Sequence, residues 1–179
     1  MRRLPGRTAV CTVLLAGVLI AAGCGSSSTK ASTNAGAGGS TGTKAPAASG
    51  TNALAEIKAR GKPTVTVPKQ PADKLEIHDD IVGTGATVKA HDTVTVHYVG
   101  VGQLDGKQFD ASWDRGQPTQ FPLDGVIPGW GEGLVGMKVG GRRTLVIPGN
   151  LAYGNAPPQG SGIEPNETLV FVVDLVSIP

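Results

Sequence analysis

The sequence predicts a domain of the α+β class, in which an antiparallel β-sheet packs against one short α-helix. Three observations predict this class. After Pro63, several segments alternate apolar and polar residues and are rich in β-branched side chains, as strands are. One segment of this region has helical spacing; it begins near Ile127 or Pro128 and places Trp130 and Leu134 on one face. The connections are rich in Gly and Pro, which favours turns over further helices.

The first 23 residues are typical of a secretory signal peptide. Three arginines among the first seven residues precede a mostly apolar stretch over 8–22. The letters "AAGC" at 21–24 are similar to a bacterial lipobox, in which the cysteine is diacylated and becomes the mature N-terminus; Ala21 stands where leucine is more common. We therefore expect Cys24 to be lipidated and to anchor the protein to the outer face of the cell membrane. Ordinary secretion, with Cys24 incidental, is the alternative.

A flexible tether is predicted after the signal peptide. Residues 25–50 are almost entirely Gly, Ser, Thr and Ala, and such a chain buries too little apolar surface to offset the entropy of ordering. As a coil it would span about 25–30 Å. We assign 24–62 to the acylated cysteine and its disordered linker, and 63–179 to the folded domain. Within the linker, 51–61 could form one or two helical turns that end at Gly61.

Strand patterns run through the predicted domain. Asp105 and Gly106 predict a hairpin turn before a short strand within 104–110. A long loop rich in Gly and Pro occupies 149–166. The other predicted strands span 64–67, 74–82, 92–102, 142–148 and 168–178.

The predicted helix is weak by itself. Gly129, Gly131 and Gly133 lie within it, and each interior glycine costs about 0.8–1 kcal/mol of helix propensity relative to alanine. The helix must therefore form because its apolar face packs against the sheet. Its glycines would let the sheet or a ligand approach closely.

The charge distribution excludes nucleic acid as the expected partner. The net charge of +2 is the sum of +7 in residues 1–62, from 8 basic residues and 1 acid, and −5 in residues 63–179, from 8 basic residues and 13 acids. Neutralising phosphates requires a basic face, which the predicted domain lacks.

Side chains that usually carry enzyme chemistry are poorly placed. The three histidines lack metal-ligand spacing; we expect His78 and His91 on the surface and His97 as a packed or edge residue of a strand. No nucleophile elbow or phosphate-binding loop is present in the sequence. Asp110 and Asp114 could be a carboxylate pair for glycoside hydrolysis. The alternative is that Asp114 pairs with a neighbour or caps a turn. We expect no metal and no cofactor.

Five motifs resemble one family. The segments "VTVHYVG", "DGKQFDASWDRGQP", "GVIPGWGEGLVGMKVGGRRTLVIP", "LAYG" and "ETLVFVVDLVSI" are similar, in this order, to FKBP-type peptidyl-prolyl cis-trans isomerases, the macrolide-binding immunophilins. The resemblance runs from about residue 74 to 178. It implies a twisted antiparallel sheet wrapped around one short helix, with a shallow apolar pocket between them, and rotamase activity.

The resemblance also implies roles for single residues. Trp130 matches the floor of the pocket beneath the substrate proline ring. The backbone N–H of Ile127 and the hydroxyl of Tyr153 match the donors to substrate carbonyls. Asp110 matches the polar residue at the pocket edge, with Arg115 and Tyr98 as its partners. Ile163 matches an apolar residue of the long loop over the site. The walls of the pocket match Tyr98, Phe109, Val126, Ile127 and Phe171. Three departures from the family pattern are Thr119, where many members have phenylalanine, Glu164 in the overhanging loop, and a segment before Val126 that is shorter than in many members.

The expected function is isomerisation of X–Pro bonds in exported, unfolded proteins. The alternative is a module that binds proline-containing chains as a holdase or scaffold with little turnover. Macrolides of the FK506 or rapamycin type are further candidate ligands. We expect a monomer whose contact with the membrane is through its N-terminal lipid only.

Overall fold

In a computed structural model, residues 50–179 are described. The predicted signal peptide, Cys24 and the tether up to residue 49 lie outside these residues. The elements are α1 (Gly50–Arg60), β1 (Glu76–Ile81), β2 (Thr93–Gly102), β3 (Gln108–Ala111), β4 (Thr119–Pro122), α2 (Pro128–Gly133), β5 (Arg142–Ile147) and β6 (Leu169–Ser177), with 3₁₀ turns at Leu123–Gly125 and Gly149–Leu151.

All six strands form one antiparallel sheet, which confirms the predicted α+β class. The strand order is β1-β5-β6-β2-β3, and β4 pairs with β2 beside β3. The ten-residue β2 is long enough to pair with β4 along its first half and with β3 along its second half. The β2–β3 hairpin turns at Gly106, which has the positive φ of +68° that the predicted turn requires.

Two strand predictions were wrong. Residues 64–67 are not a strand, because their backbone pairs with no other strand. They lie across one face of the sheet, where Val65 and Val67 pack against its side chains. β4 was missed, because it has only four residues and ends in a proline. The other predicted strands are present within a few residues of their predicted ends.

Alternation along the strands separates two faces of the sheet. On β5, Leu145 and Ile147 are fully buried and lie directly beneath α2. The main core lies on this side and includes Trp130 and Leu134 together with Val96. The intervening side chains of β5, including Val146, face the opposite side of the sheet.

Helix α1 lies within the stretch assigned to the linker, and it packs onto the domain. The segment 50–60 is an eleven-residue helix, and Ala53 and Ile57 on it are fully buried. The Arg60 guanidinium donates to the carbonyl of Gly140 at 2.8 Å, so the helix is fastened to the domain by polar contacts as well. The helix therefore belongs to the fold, because its apolar face covers sheet surface near β6 that would otherwise face water.

Residues 61–68, which we call the strap, continue from α1 across the same structure. Arg142 donates to the carbonyl of Gly61 at 3.0 Å, and Gln103 donates to that of Pro68 at 3.0 Å. The strap thus covers part of the sheet face that points away from α2. Neither helix within residues 50–179 is long and apolar enough to cross a membrane.

Candidate active site

An apolar cavity of about 130 Å³ opens between α2 and the sheet. Six of its nine lining residues are aromatic, and Asp110 is the single charged one. The lining comes from four strands, from two connecting segments and from α2, so tertiary packing assembles it. The lining residues are Tyr98, Phe109, Asp110, Phe121, Val126, Ile127, Trp130, Tyr153 and Phe171.

Trp130 forms the floor of the cavity. Its side chain is 4% exposed, and it makes edge-to-face contacts with three aromatic rings at centroid separations of 5.3–5.4 Å. These partners are Tyr98, Phe121 and Phe171. Edge-to-face pairs at this separation are favourable beyond the apolar area that they bury. The indole is therefore held rigidly, as a flat apolar platform should be.

Gly100 makes room for two rings of the cavity wall. On β2 it shares a face with Tyr98, and its neighbours across the sheet are Asp110 on β3 and Phe171 on β6. A Cβ atom at Gly100 would lie 2.7 Å from Phe109 Cζ and 2.8 Å from Phe171 Cε1. The absent side chain thus allows the two phenyl rings to meet edge-to-face at 5.5 Å above the strand.

A β-bulge brings two consecutive residues to the cavity. Neighbouring side chains of a regular strand point to opposite faces. Between β2 and β3, however, the register skips, so that Asp110 pairs with Gly100 while Gln108 pairs with Val101. The extra residue is Phe109, and both it and Asp110 line the cavity. Bulges commonly re-aim side chains next to active sites in this way.

The rim carries one connected polar cluster. The Tyr98 hydroxyl donates to Asp110, and the Arg115 guanidinium donates to Asp110 and, at 2.9 Å, to the Tyr98 oxygen. Burial pulls the pKa of Asp110 upward, but these hydrogen bonds and the charge of Arg115 outweigh burial and hold that pKa below its usual range. Burial, followed by the hydrogen bond to Asp110, raises the pKa of Tyr98 to about 12. At neutral pH the carboxylate is therefore ionised and the phenol protonated.

Two donors at the cavity are left without protein partners. Within residues 50–179, the backbone N–H of Ile127 and the hydroxyl of Tyr153 make no hydrogen bond. Ile127 lies immediately before α2, where the chain enters the helix and its N–H has no carbonyl one turn back. Tyr153 is 36% exposed, and burial, then the charge of Asp110, raise the pKa of its hydroxyl. Both groups can donate to a ligand carbonyl.

The structure brings together most of the residues predicted for the site. Eight of them line the cavity, and Arg115 stands behind the rim as the predicted partner of Asp110 and Tyr98. Ile163 does not line the cavity: it is 9% exposed and packs into the main core, and its contact with a ligand stays a prediction.

Phe121 is a lining residue that the sequence analysis missed. Its ring lies edge-to-face with both Tyr98 and Trp130, at 5.8 and 5.4 Å. Thr119 stands where the family pattern has a phenylalanine. Residues 119 and 121 share a face of β4, and the phenyl ring of this wall comes from the latter. The alternation of Thr119 and Phe121 around an exposed Gln120 was the available signal.

Residues 50–179 do not assemble the carboxylate pair or a metal site. Asp114 pairs with Lys62 at 2.6 Å and accepts from Gln108, as the non-catalytic interpretation predicted, so it forms no carboxylate pair with Asp110. His97 is buried, and its Nδ1 lies 3.0 Å from the Ser112 hydroxyl, whereas the other two histidines are exposed. Within the described part of the chain, His, Cys, Asp and Glu side chains form no group that could hold a metal ion.

Comparison with known proteins gives a consistent result. A family model described as FKBP-type peptidyl-prolyl cis-trans isomerase matches residues 85–176. The chain is 54% identical over 118 residues to a probable FK506-binding protein of Corynebacterium glutamicum, covering 65% of this chain and 98% of the relative. It is 53% identical over 121 residues to an FK506-binding protein of Streptomyces anulatus, covering 65% and 97%. A crystal structure of a peptidyl-prolyl cis-trans isomerase from Pseudomonas syringae pv. tomato is similar with a TM-score of 0.54 and 37% identity, over 79% of this chain and 98% of that one.

Proposed function

This chain belongs to the family of FKBP-type peptidyl-prolyl cis-trans isomerases, and we propose that it isomerises X–Pro bonds of exported, unfolded polypeptides in the cavity above Trp130. The observation that carries the proposal is the composition of that cavity. It combines an aromatic floor and walls with two donors that have no partner within residues 50–179, and its one carboxylate is paired with Arg115.

The barrier to X–Pro rotation has a physical origin that suits such a cavity. Rotation costs about 18–20 kcal/mol because twisting removes amide resonance, whereas the cis and trans ground states differ by only about 0.5–1 kcal/mol. The planar amide is the more dipolar form, so water stabilises it more than an apolar site does. A site that excludes water therefore destabilises the ground state relative to the twisted amide. This lowers the barrier by differential binding, without a covalent intermediate.

The rim residues have positioning roles in this proposal. A proline ring seated on Trp130 would be fixed by packing, while the Ile127 N–H and the Tyr153 hydroxyl donate to substrate carbonyls. Such contacts hold one side of the peptide while the other rotates. The cluster of Asp110, Tyr98 and Arg115 keeps its charges paired and shapes the field at the cavity edge. No proton transfer is needed.

We further propose that the enzyme acts outside the cytoplasm on a lipid anchor. The support is the leader at 1–23 and the lipobox-like "AAGC" before a Gly- and Ser-rich stretch. Isomerisation needs no ATP, so the activity suits that compartment. Proline-containing segments of newly exported chains would be its clients. Binding of an FK506-like macrolide at the same cavity is a second proposal, supported by the names of the two bacterial relatives.

A protease-coupled assay on the full chain tests the activity. A panel of X–Pro peptides that differ in the residue before proline is followed through cis-to-trans conversion. We expect acceleration over the uncatalysed rate, with Leu–Pro and Phe–Pro better than Glu–Pro, because the cavity wall is apolar. Peptides that bind, by competition or fluorescence, without faster conversion would instead support the holdase alternative and refute the proposed catalysis.

A further inference from the structure

A second and larger concavity lies between the strap and the edge strand β1. It encloses about 520 Å³. Thr64 and Thr66 of the strap form one wall, and Glu76 and Asp80 of β1 form the other. The floor includes Val146 and Val172. We call this concavity the strap groove.

The strap groove and the catalytic cavity lie on opposite faces of the sheet. On β5, Leu145 and Ile147 contact α2, and Val146 between them is part of the groove floor. Side chains alternate between faces along a strand, so the sheet itself separates the two sites. A ligand in the strap groove would therefore leave Trp130 and its cavity free.

The shape of the strap groove suits an extended chain. Its β1 wall runs from Glu76 to Asp80, which at about 3.3 Å per residue is roughly 13 Å, or the length of four extended residues. The β1 wall is a β-strand, and the strap has no regular secondary structure. Within residues 50–179, the main-chain groups of Thr64 and Thr66 make no hydrogen bond, so they are available to pair with a bound strand.

The charge of the strap groove favours a basic ligand. Glu76, His78 and Asp80 are exposed on the β1 wall. Arg142 is the one Lys or Arg among the lining residues, and its guanidinium is bound by both carboxylate oxygens of the fully buried Asp174, at 2.8 and 2.9 Å. The arginine charge is thus compensated inside the protein. Glu76 and Asp80 on the β1 wall have no Lys or Arg side chain other than Arg142 among the residues that line the groove.

We propose that the strap groove binds an extended segment of polypeptide that carries basic side chains between small apolar ones, whether or not it contains proline. The occupant would pair its main chain with the strap, place apolar side chains on the valines of the floor and direct lysines or arginines to Glu76 and Asp80. Through this second contact the protein would retain an unfolded chain while the cavity on the other face samples its prolines. The binding itself does not depend on isomerase activity.

Fluorescence anisotropy on the full chain tests the proposal. The probe is a labelled proline-free peptide, Lys-Thr-Val-Lys-Val-Thr-Lys, compared with the analogue that has Glu in place of Lys. We expect the basic peptide to bind and the acidic analogue to bind at least about tenfold more weakly, since it would face like charges. Glu76→Lys should weaken binding of the basic peptide about three- to tenfold. Thr66→Trp, which fills the groove without changing its charge, should weaken it as well.

Controls separate this site from the catalytic cavity and from general electrostatics. Glu132→Lys makes the same charge change on α2, on the other face of the sheet, and should leave the affinity for the basic peptide near that of the parent. A saturating Leu–Pro peptide should not displace the probe, and both groove variants should keep isomerase activity. Circular dichroism checks that each variant is folded.

Several results would overturn the inference. They are the absence of binding, retained affinity in both groove variants, an equal loss in Glu132→Lys, and displacement by the Leu–Pro peptide. Displacement by spermine as readily as by the unlabelled peptide would show a general polycation site instead. Isomerase activity measured in the same samples shows separately whether the proposed catalysis holds, so the failure of one proposal is distinguishable from the failure of the other.

Discussion

Replacing Gly100 by alanine should damage the catalytic cavity although the residue makes no contact with substrate. Its Cβ would lie 2.7 and 2.8 Å from ring carbons of Phe109 and Phe171. Carbon atoms pack favourably at about 3.5–4.0 Å, so the rings would have to retreat by roughly 0.7 Å or more. Overpacking of this kind costs about 1–3 kcal/mol. Replacing a glycine in a strand by alanine raises the free energy of unfolding by about 0.5–1 kcal/mol. We expect a net loss of about 1–2 kcal/mol in the free energy of unfolding.

The activity should fall further than the stability alone explains. A displacement near 1 Å of groups that position substrate can cost up to about 100-fold in rate. We therefore expect kcat/KM for a Leu–Pro peptide to fall about tenfold under conditions where Gly100→Ala is fully folded. Urea unfolding followed by tryptophan fluorescence gives the stability, and the protease-coupled assay gives kcat/KM.

A control and a double variant make this reasoning refutable. Gly125→Ala adds the same methyl group where its nearest neighbour is one ring carbon of Pro122 at 3.3 Å, so its stability should stay within about 0.5 kcal/mol of the parent. Adding Phe109→Leu to Gly100→Ala should restore part of the lost stability, because removing the Phe109 ring relieves the clash with the new methyl group. Wild-type stability and kcat/KM in Gly100→Ala would refute the argument that the rings are held against β2.

Three further predictions concern the floor, the rim and the anchor. Trp130→Leu should weaken proline-peptide binding at least about tenfold. Trp113→Leu should affect stability but not binding, because Trp113 does not line the cavity and its ring stacks on that of His97 with centroids 4.4 Å apart. Equal losses of binding in the two variants would contradict these roles. The pKa of Asp110 is lower in the folded protein than in the unfolded chain, where it is about 3.9. Ionised Asp110 therefore stabilises the fold at pH values above the unfolded-state pKa, and this stabilisation disappears as the pH falls through the folded-state pKa. Because Asp110 stays ionised, kcat/KM of the enzyme should be flat from about pH 6 to 8, and Asp110→Asn should remain active. A bell-shaped pH profile of kcat/KM that Asp110→Asn abolishes would make Asp110 an acid–base catalyst. Cys24→Ser should release the protein from membranes or leave its leader uncleaved, and membrane fractionation of a mature Cys24→Ser form would refute lipidation.

The fold and most of the site could be predicted because their signals are local. Alternation identified the long strands, and the spacing of Ile127, Trp130 and Leu134 identified α2. The site residues followed from motifs that keep their order along the chain. Those signals need no knowledge of which strand pairs with which.

The features that the sequence does not reveal depend on tertiary pairing. The bulge at Phe109 exists only in the register between β2 and β3, and no residue pattern marks it. The burial of α1 depends on sheet surface far away in the chain, so no pattern within 50–60 predicts it. Ile163 packs into the core and does not line the cavity, and its contact with a ligand stays a prediction.

The glycines of α2 explain why so short a helix can hold the floor of an active site. A Cβ at Gly129 would lie 2.3 Å from Ile147, and one at Gly133 would lie 2.8 Å from Leu145, so both glycines let the helix backbone rest directly on β5. Six residues are far fewer than the roughly 12–15 that an isolated helix needs in water, and no side chain caps the N-terminus of α2. Its stability therefore comes from contact with the sheet, and close contact is what the glycines permit. Because Trp130 stands beside these glycines, the same contact sets its height above the sheet. The floor can then move only if α2 separates from β5, which couples the geometry of the cavity to the stability of the core.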